Sequence, residues 1–244
     1  MRTDILMDDS FAVGGFTSGR EGIWTRESAD MPPTSDYVEL SAALGTTPEK
    51  MVRPYQANGQ RAAIVVPRHG GSGIIKDNEL TKTDGLVTAH RGLALTVIAA
   101  DCAPVYLADR KAGVIGLLHC GRQAAAGELL RNGIGCMESL GASKAHITMT
   151  VGHHICGSCY EVGEEVYSEL AESFSAEELS RIFTISEGRF FLSLFQALRY
   201  KGLELGIAPE NISQWGECTC HCTDFYSYRH GDRGKQDLAF LMMR

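Results

Sequence analysis

The spacing of apolar and polar positions changes several times along the chain, and each change marks an element. Residues 61–67, RAAIVVP, form an apolar run between the turn-prone Asn58-Gly59 and the glycine loop HGGSG, and predict a strand. Residues 84–90, DGLVTAH, predict a short extended piece that turns at Arg91-Gly92. Residues 93–100, LALTVIAA, are almost wholly apolar and predict a buried strand ending at Asp101-Cys102. Pro104 interrupts pairing, residues 105–108 resume it, and DRKAG turns the chain. Residues 114–118, VIGLL, are the expected returning strand, with His119 directly after it. KAHITMTVG and residues 238–242 predict two more strands. Helical spacing appears over residues 122–140, weakened by Gly133 and Gly135, over 160–174, and over 190–202, where Leu192, Phe195 and Leu198 share a face. Ser175 followed by Glu178 has the spacing of a capping box.

The first fifty residues are rich in Gly, Ser, Asp and Pro. There MPPTSDY reads as a turn, and SDYVELSAALG as a short helix stopped by Gly45. No repeat or polar linker divides the chain. The expectation is one α+β (mixed α/β) domain spanning residues 1–244, with mixed sheets flanked by helices.

Composition narrows the function classes. A length of 244 residues with 44% apolar side chains suffices for a substantial core. The net charge of -7 and the lack of long Lys/Arg blocks argue against a nucleic-acid backbone as partner. No stretch reaches the roughly 18–20 apolar residues that cross a bilayer. MRTDILMDDSFAVGG carries acids where a signal peptide needs a basic and then an apolar region, so the expected location is cytoplasmic, with no membrane partner.

Eight cysteines suit reduced thiols better than disulfide staples in such a chain. Cys156-x-x-Cys159 and the run CTCHC contain enough soft ligands for a structural zinc. CTCHC crowds its ligands, however, where a zinc ribbon presents two spaced pairs, and free thiols are the expectation. His153-His154 reads as a turn with an exposed histidine. HGGSG lacks the Gly-Lys-Ser/Thr ending of a phosphate loop and reads as a turn.

Asp101, Cys102 and His119 are the strongest chemical group. If the strands ending at residues 100 and 118 pair, these side chains converge. They would then be packing residues, a cysteine nucleophile with its base, or two ligands of a zinc or copper ion that needs a third.

Longer motifs add a resemblance. YQANG, DGLVTAHRGLALTVIAADCAPVYLAD, GVIGLLHCG, VGHHICGSCYEVGEEV, FLSL, Cys218-Thr219 and FYSYRHGDRGKQ together resemble the YfiH-like or laccase-domain family, once described as multicopper polyphenol oxidoreductases. They lie in family order from residue 55 to residue 240. The resemblance implies a compact domain with a fold like that of the toxin deamidases and a metal-capable cleft of one Cys and two His. Its cysteine falls on Cys102 and one histidine on His119. The other histidine position is taken by Asn58, a weaker metal partner, with His69 as a conceivable recruit.

A second departure is His119-Cys120-Gly121-Arg122, where the family's Trp is missing and its Arg is displaced by one place. The resemblance further implies Arg229, Lys235 and the displaced Arg122 as contacts for phosphate or nucleoside, and Asp101 as an orienter. Lys235 lacks the planar fork of Arg.

The activity so implied is purine nucleoside phosphorolysis, with adenosine deamination and methylthioadenosine phosphorolysis as companions. Partners are then purine nucleosides and phosphate, zinc is the favoured metal over copper, and a monomer is expected, with a dimer as the alternative. Two other readings stay open. One is a cysteine hydrolase or deamidase using Cys102 and His119; the other is a catalytically weak metal-binding or interaction module. A true multicopper oxidase would need many clustered histidines, and this chain has eight, mostly scattered.

Overall fold

The structure is a computed structural model that describes residues 1–22, Trp24 and residues 33–244. The chain starts with β1 (Arg2–Asp8), β2 (Ala12–Ser18), α1 (Ser35–Ala43), β3 (Met51–Val52), β4 (Ala62–Ile64) and β5 (Gly85–Thr88). It continues with β6 (Ala94–Ala99), β7 (Ala103–Asp109), β8 (Val114–Cys120), α2 (Arg122–Ala126), α3 (Leu129–Ser139) and β9 (Thr148–Val151). Then come β10 (Glu161–Val162), α4 (Glu164–Ala171), α5 (Ala176–Ile182), β11 (Phe183–Ser186) and β12 (Arg189–Leu192). The chain closes with α6 (Leu194–Glu204), β13 (Ile212–Gln214) and β14 (Asp237–Met243).

Two mixed sheets face each other. One has the order β1-β2-β14-β6-β3 and the other β13-β9-β7-β8-β5-β4, while β10-β12-β11 forms a small third sheet. Period-two alternation explains the layering. In β7, Tyr106 and Ala108 enter the core between the sheets, while Val105 and Leu107 enter the core beneath the helices. In β8, Ile115 and Leu117 take the first side, and Val114 and Leu118 the second. In β6, Leu95 and Val97 face the inter-sheet core, and Ala94 faces a third core that holds Tyr37 and Leu40 of α1. Strands covered on both faces read as continuous apolar runs, which is why 93–100 and 114–118 were so visible.

The strand pairing differs from the one expected. The strand ending at Ala99 does not pair with the one ending at Cys120: β6 and β8 belong to different sheets, and the hairpin partner of β8 is β7. Residues 122–140 form two helices, parted at Gly127 and not at Gly133 or Gly135. Gln60 Oε1 accepts the N–H groups of Glu128 and Leu129, both at 2.9 Å, and so caps the second helix from outside.

Residues 190–192 are strand, because Glu187 and Gly188, at φ 51° and 72°, make a tight two-residue turn that pairs β11 with β12. The helix after them starts at Leu194, where Ser193 caps Gln196. Likewise 161–162 is strand before α4. The hairpin β1–β2 was hidden by its glycines. A Cβ at Gly15 would lie 2.2 Å from the Asp4 carbonyl oxygen, so only glycine lets these strands approach. His153 and His154 are buried, not exposed; the His153 ring stands 4.2 Å from Phe225 and 4.6 Å from Trp215. Helix α1 and the Ser175–Glu178 capping box are present as expected. Of MPPTSDY, Met31 and Pro32 lie outside the described residues.

Candidate active site and a four-ligand cluster

The site grows from the corner where the chain leaves one sheet for the other. β6 ends at Ala99 and β7 begins at Ala103, so three residues make the crossing. Asp101 adopts φ 84°, a conformation that Asp tolerates better than most residues. Its carboxylate fixes the corner by accepting from Thr219 Oγ1 at 2.7 Å, Ser227 Oγ at 3.1 Å and the Arg229 N–H at 2.7 Å. In the β7–β8 ladder, Ala103 faces Cys120 and Pro104 faces His119, which sets Cys102 beside His119 and Gly121. A Cβ on Gly121 would lie 2.9 Å from the Cys102 sulfur and 3.6 Å from Asn58 Oδ1, so the bare glycine makes room for both.

The carboxylate that orients His119 is Asp84, a fully buried residue that motif reading passed over. His119 Nδ1 bonds Asp84 Oδ1 at 3.0 Å. Asp84 also accepts the N–H groups of Ala57, Asn58 and Gly59 at 3.1, 3.0 and 2.8 Å, tying the Asn58 loop to the histidine. Burial works against charge on His119, but Cys102 and Asp84 outweigh it and raise its pKa to about 9. Burial also opposes the Asp84 carboxylate, yet bonds from His119 and from the Gly59 and Ala57 amides pull its pKa below the usual value. With Nδ1 on Asp84, Nε2 is the ring nitrogen that remains for Cys102 and for the cavity that His119 lines.

That cavity, of about 450 Å³, is bordered by Asn58, Asp101, Cys102, His119, Tyr160, Tyr228, Arg229, Asp232 and Lys235, among others. Arg229 donates from its guanidinium to the Glu161 carbonyl at 2.8 Å and lies 5.2 Å from the Tyr160 ring. Asp232 pairs with Arg20. The structure therefore gathers Asn58, Asp101, Cys102, His119, Arg229 and Lys235 around one space. It does not bring Arg122 there: that side chain pairs with Glu169 on α4 and is not among the lining residues. Nor does it bring His69, whose Nδ1 accepts the Val66 N–H at 3.0 Å. Asp101 orients the loop of residues 219–229 and makes no bond to His119. Tyr160, Tyr228 and Asp232 were not singled out in the sequence, although they lie within the family motifs VGHHICGSCYEVGEEV and FYSYRHGDRGKQ.

A separate cluster lies at the outer side of the same corner. Ligand atoms of Cys156, Cys159, Cys218 and His221 all fall within 4.8 Å of one another, a set able to hold a metal. The crowded CTCHC run thus contributes only its first cysteine and its histidine.

A two-sheet fold with a Cys/His cleft defines the class, and comparison places the chain within it. Residues 34–244 match the family described as multi-copper polyphenol oxidoreductase laccase, and the chain belongs to that family. It is 35% identical over 199 residues to purine nucleoside phosphorylase ORF3 of Streptomyces griseus, covering 80% of this chain and 75% of that one. It is 28% identical over 193 residues to adenosine deaminase RL5 of an unknown prokaryotic organism, covering 78% and 73%. The crystal structure of the Bacillus licheniformis hypothetical protein YfiH superposes with a TM-score of 0.84 at 24% identity, covering 98% of this chain and 99% of that one.

The family's laccase description raises the question of a metal in the cleft. His119 with its Asp84 partner has the form of a metal-bound histidine, and Cys102 offers a thiolate. The third place is the neutral amide of Asn58, whereas a catalytic zinc takes about three strong protein ligands. This donor set does not fit a resident zinc. Among the described residues, the group of three or more His, Cys, Asp or Glu suited to a metal is the outer cluster.

Proposed function

We propose that this protein is a purine nucleoside phosphorylase that works without a metal in its cleft. The observation that carries the reading is one cavity joining two cations, Arg229 and Lys235, to a histidine whose pKa is raised to about 9. Its volume of about 450 Å³ lies within the range, roughly 300–1,000 Å³, of small-molecule sites.

Arg229 and Lys235 hold phosphate, and Tyr160 and Tyr228 offer ring faces to the nucleoside. A phosphate oxygen forms the bond to C1′ as the C1′–N9 bond breaks. The electron pair passes into the purine, and N7 takes a proton from His119 Nε2. Solvent then returns a proton to the histidine. Asp84 and Cys102 keep the imidazole charged, and positioned acids of this kind contribute about 10²–10⁴ in rate. The fine specificity, including any action on methylthioadenosine, rests on the nucleoside wall.

The test is a panel of adenosine, inosine, guanosine and 5′-methylthioadenosine, each with and without inorganic phosphate. Free base and a sugar 1-phosphate should form only when phosphate is present. Ammonia release that needs no phosphate would replace this reading with deamination. Because a thiol lies beside a charged imidazole, a cysteine hydrolase is the second reading. Rapid, stoichiometric alkylation of Cys102 with parallel loss of ester or amide hydrolysis, and no phosphorolysis, would select it.

A further inference from the structure

We propose that Cys156, Cys159, Cys218 and His221 form a structural zinc site that clamps the outer wall of the cavity. The four residues come as two pairs of equal spacing, Cys156-x-x-Cys159 and Cys218-x-x-His221, separated by the whole small sheet, α4–α6 and β13. Each pair sits on a tight turn. The N–H groups of Cys159 and Tyr160 bond the Cys156 carbonyl at 3.1 and 3.0 Å, and the Cys222 N–H bonds the Cys218 carbonyl at 3.0 Å.

The ligand atoms already face one another. Cys159 Sγ is 3.3 Å and Cys156 Sγ 4.0 Å from His221 Nδ1, and no pair exceeds 4.8 Å. Tetrahedral zinc, with bonds of about 2.3 Å to sulfur and 2.0–2.1 Å to nitrogen, sets its ligands about 3.5–3.8 Å apart. Shifts of about 1 Å or less within two turns would close the shell. The Cys156 N–H also points to Cys218 Sγ at 3.2 Å, which neutralises part of a thiolate's charge before any ion enters. Three sulfurs and one imidazole select zinc over magnesium or calcium, and a complete shell leaves no open position for substrate.

The clamp has a definite target. The Ile155 N–H bonds the Asp101 carbonyl at 3.0 Å, and the Thr219 N–H bonds the His154 carbonyl at 3.2 Å. Thr219 Oγ1 bonds the Asp101 carboxylate at 2.7 Å. Zinc would thus lock together the two segments that hold the Asp101–Cys102 corner. Cys220 and Cys222 lie outside the shell and pack toward the cores.

The experiment measures zinc by elemental analysis on full-length protein purified under reducing conditions without chelator, together with the visible spectrum of the cobalt-substituted protein. Wild type should hold one zinc per chain and give the intense d–d bands of tetrahedral cobalt bound to thiolates. His221→Ala, at an exposed position where folding is not at stake, and Cys159→Ser should each cost at least tenfold in zinc affinity and lower the melting temperature. Cys220→Ser should keep the zinc. Cys102→Ala should also keep it, which separates this site from the cleft. Zinc that disappears with Cys102→Ala but survives His221→Ala would overturn the proposal. So would a protein that binds neither zinc nor cobalt while its thiols are reduced, or one that carries a Cys156–Cys159 disulfide in place of metal.

Discussion

Two corners of this protein use cysteine and histidine, and they differ in what surrounds them. At the inner corner, Cys102 and His119 line a cavity together with the Asn58 amide, Arg229 and Lys235, and the buried Asp84 carboxylate backs the histidine from behind. At the outer corner, three cysteines and His221 face one another across two turns. The inner histidine spends one nitrogen on Asp84 and keeps charge on its ring. The outer one spends Nδ1 on sulfur neighbours at 3.3 and 4.0 Å. Residue type alone therefore does not distinguish the two corners; donor count and the presence of an adjacent carboxylate and cavity do.

The sharpest way to break this contrast is to remove the inner pair. Cys102→Ala and His119→Ala should each lower phosphorolysis by about 10²–10⁴, assayed as base release, because a positioned acid or its charge partner is lost. Unchanged rates would dismiss the inner corner as the reacting one.

A smaller effect is expected from Asp84→Asn, on the order of tenfold to a hundredfold in kcat, because the acid keeps its place but loses part of the charge support behind a contribution of about 10²–10⁴, together with a change in pH dependence. The pKa of His119 is raised from 6.5 to about 9 in the fold, so the acid stays protonated, and its pairing stabilises the fold fully, below pH 6.5. Both benefits fade as pH rises through about 9. Without the Asp84 charge, the alkaline limb of the rate profile should move toward neutral pH. A limb that stays in place would mean that another group sets it.

The mildest change sharpens the comparison by making the corners alike. Asn58→His supplies the missing third donor at the cleft, and bound zinc should rise from one to two per chain with little effect on melting temperature. Stoichiometry that does not rise would show that residue 58 is not aimed at the Cys102–His119 pair.

Some of this was legible in the residue order. β6, β8 and residues 105–108 of β7 announced themselves as apolar runs, because strands covered on both faces need apolar side chains at every position. Pro104, expected to interrupt pairing, instead lies within β7 opposite His119. Ala-Asp-Cys and His-Cys-Gly stood at their ends, and family motifs drew in Arg229 and Lys235. Asp84 was not legible: 35 residues separate it from His119, and an aspartate before an apolar strand looks like any turn residue. Arg122 lies just after His119 in sequence, but helix α2 points it at Glu169. The β1–β2 hairpin escaped notice because glycines, which weaken a strand signal, are what allow its backbones to meet.

By itself, then, the sequence determined the alternation that builds two facing sheets, the reactive residue types at strand ends, and the family. Only the tertiary structure decided that β6 and β7 part company into different sheets, so that a three-residue crossing carries Cys102 to His119. It alone matched Cys156-x-x-Cys159 with a pair about sixty residues onward. Local spacing governs which face a side chain takes, whereas the meeting of distant side chains depends on how the sheets stack and where the loops between them are tied.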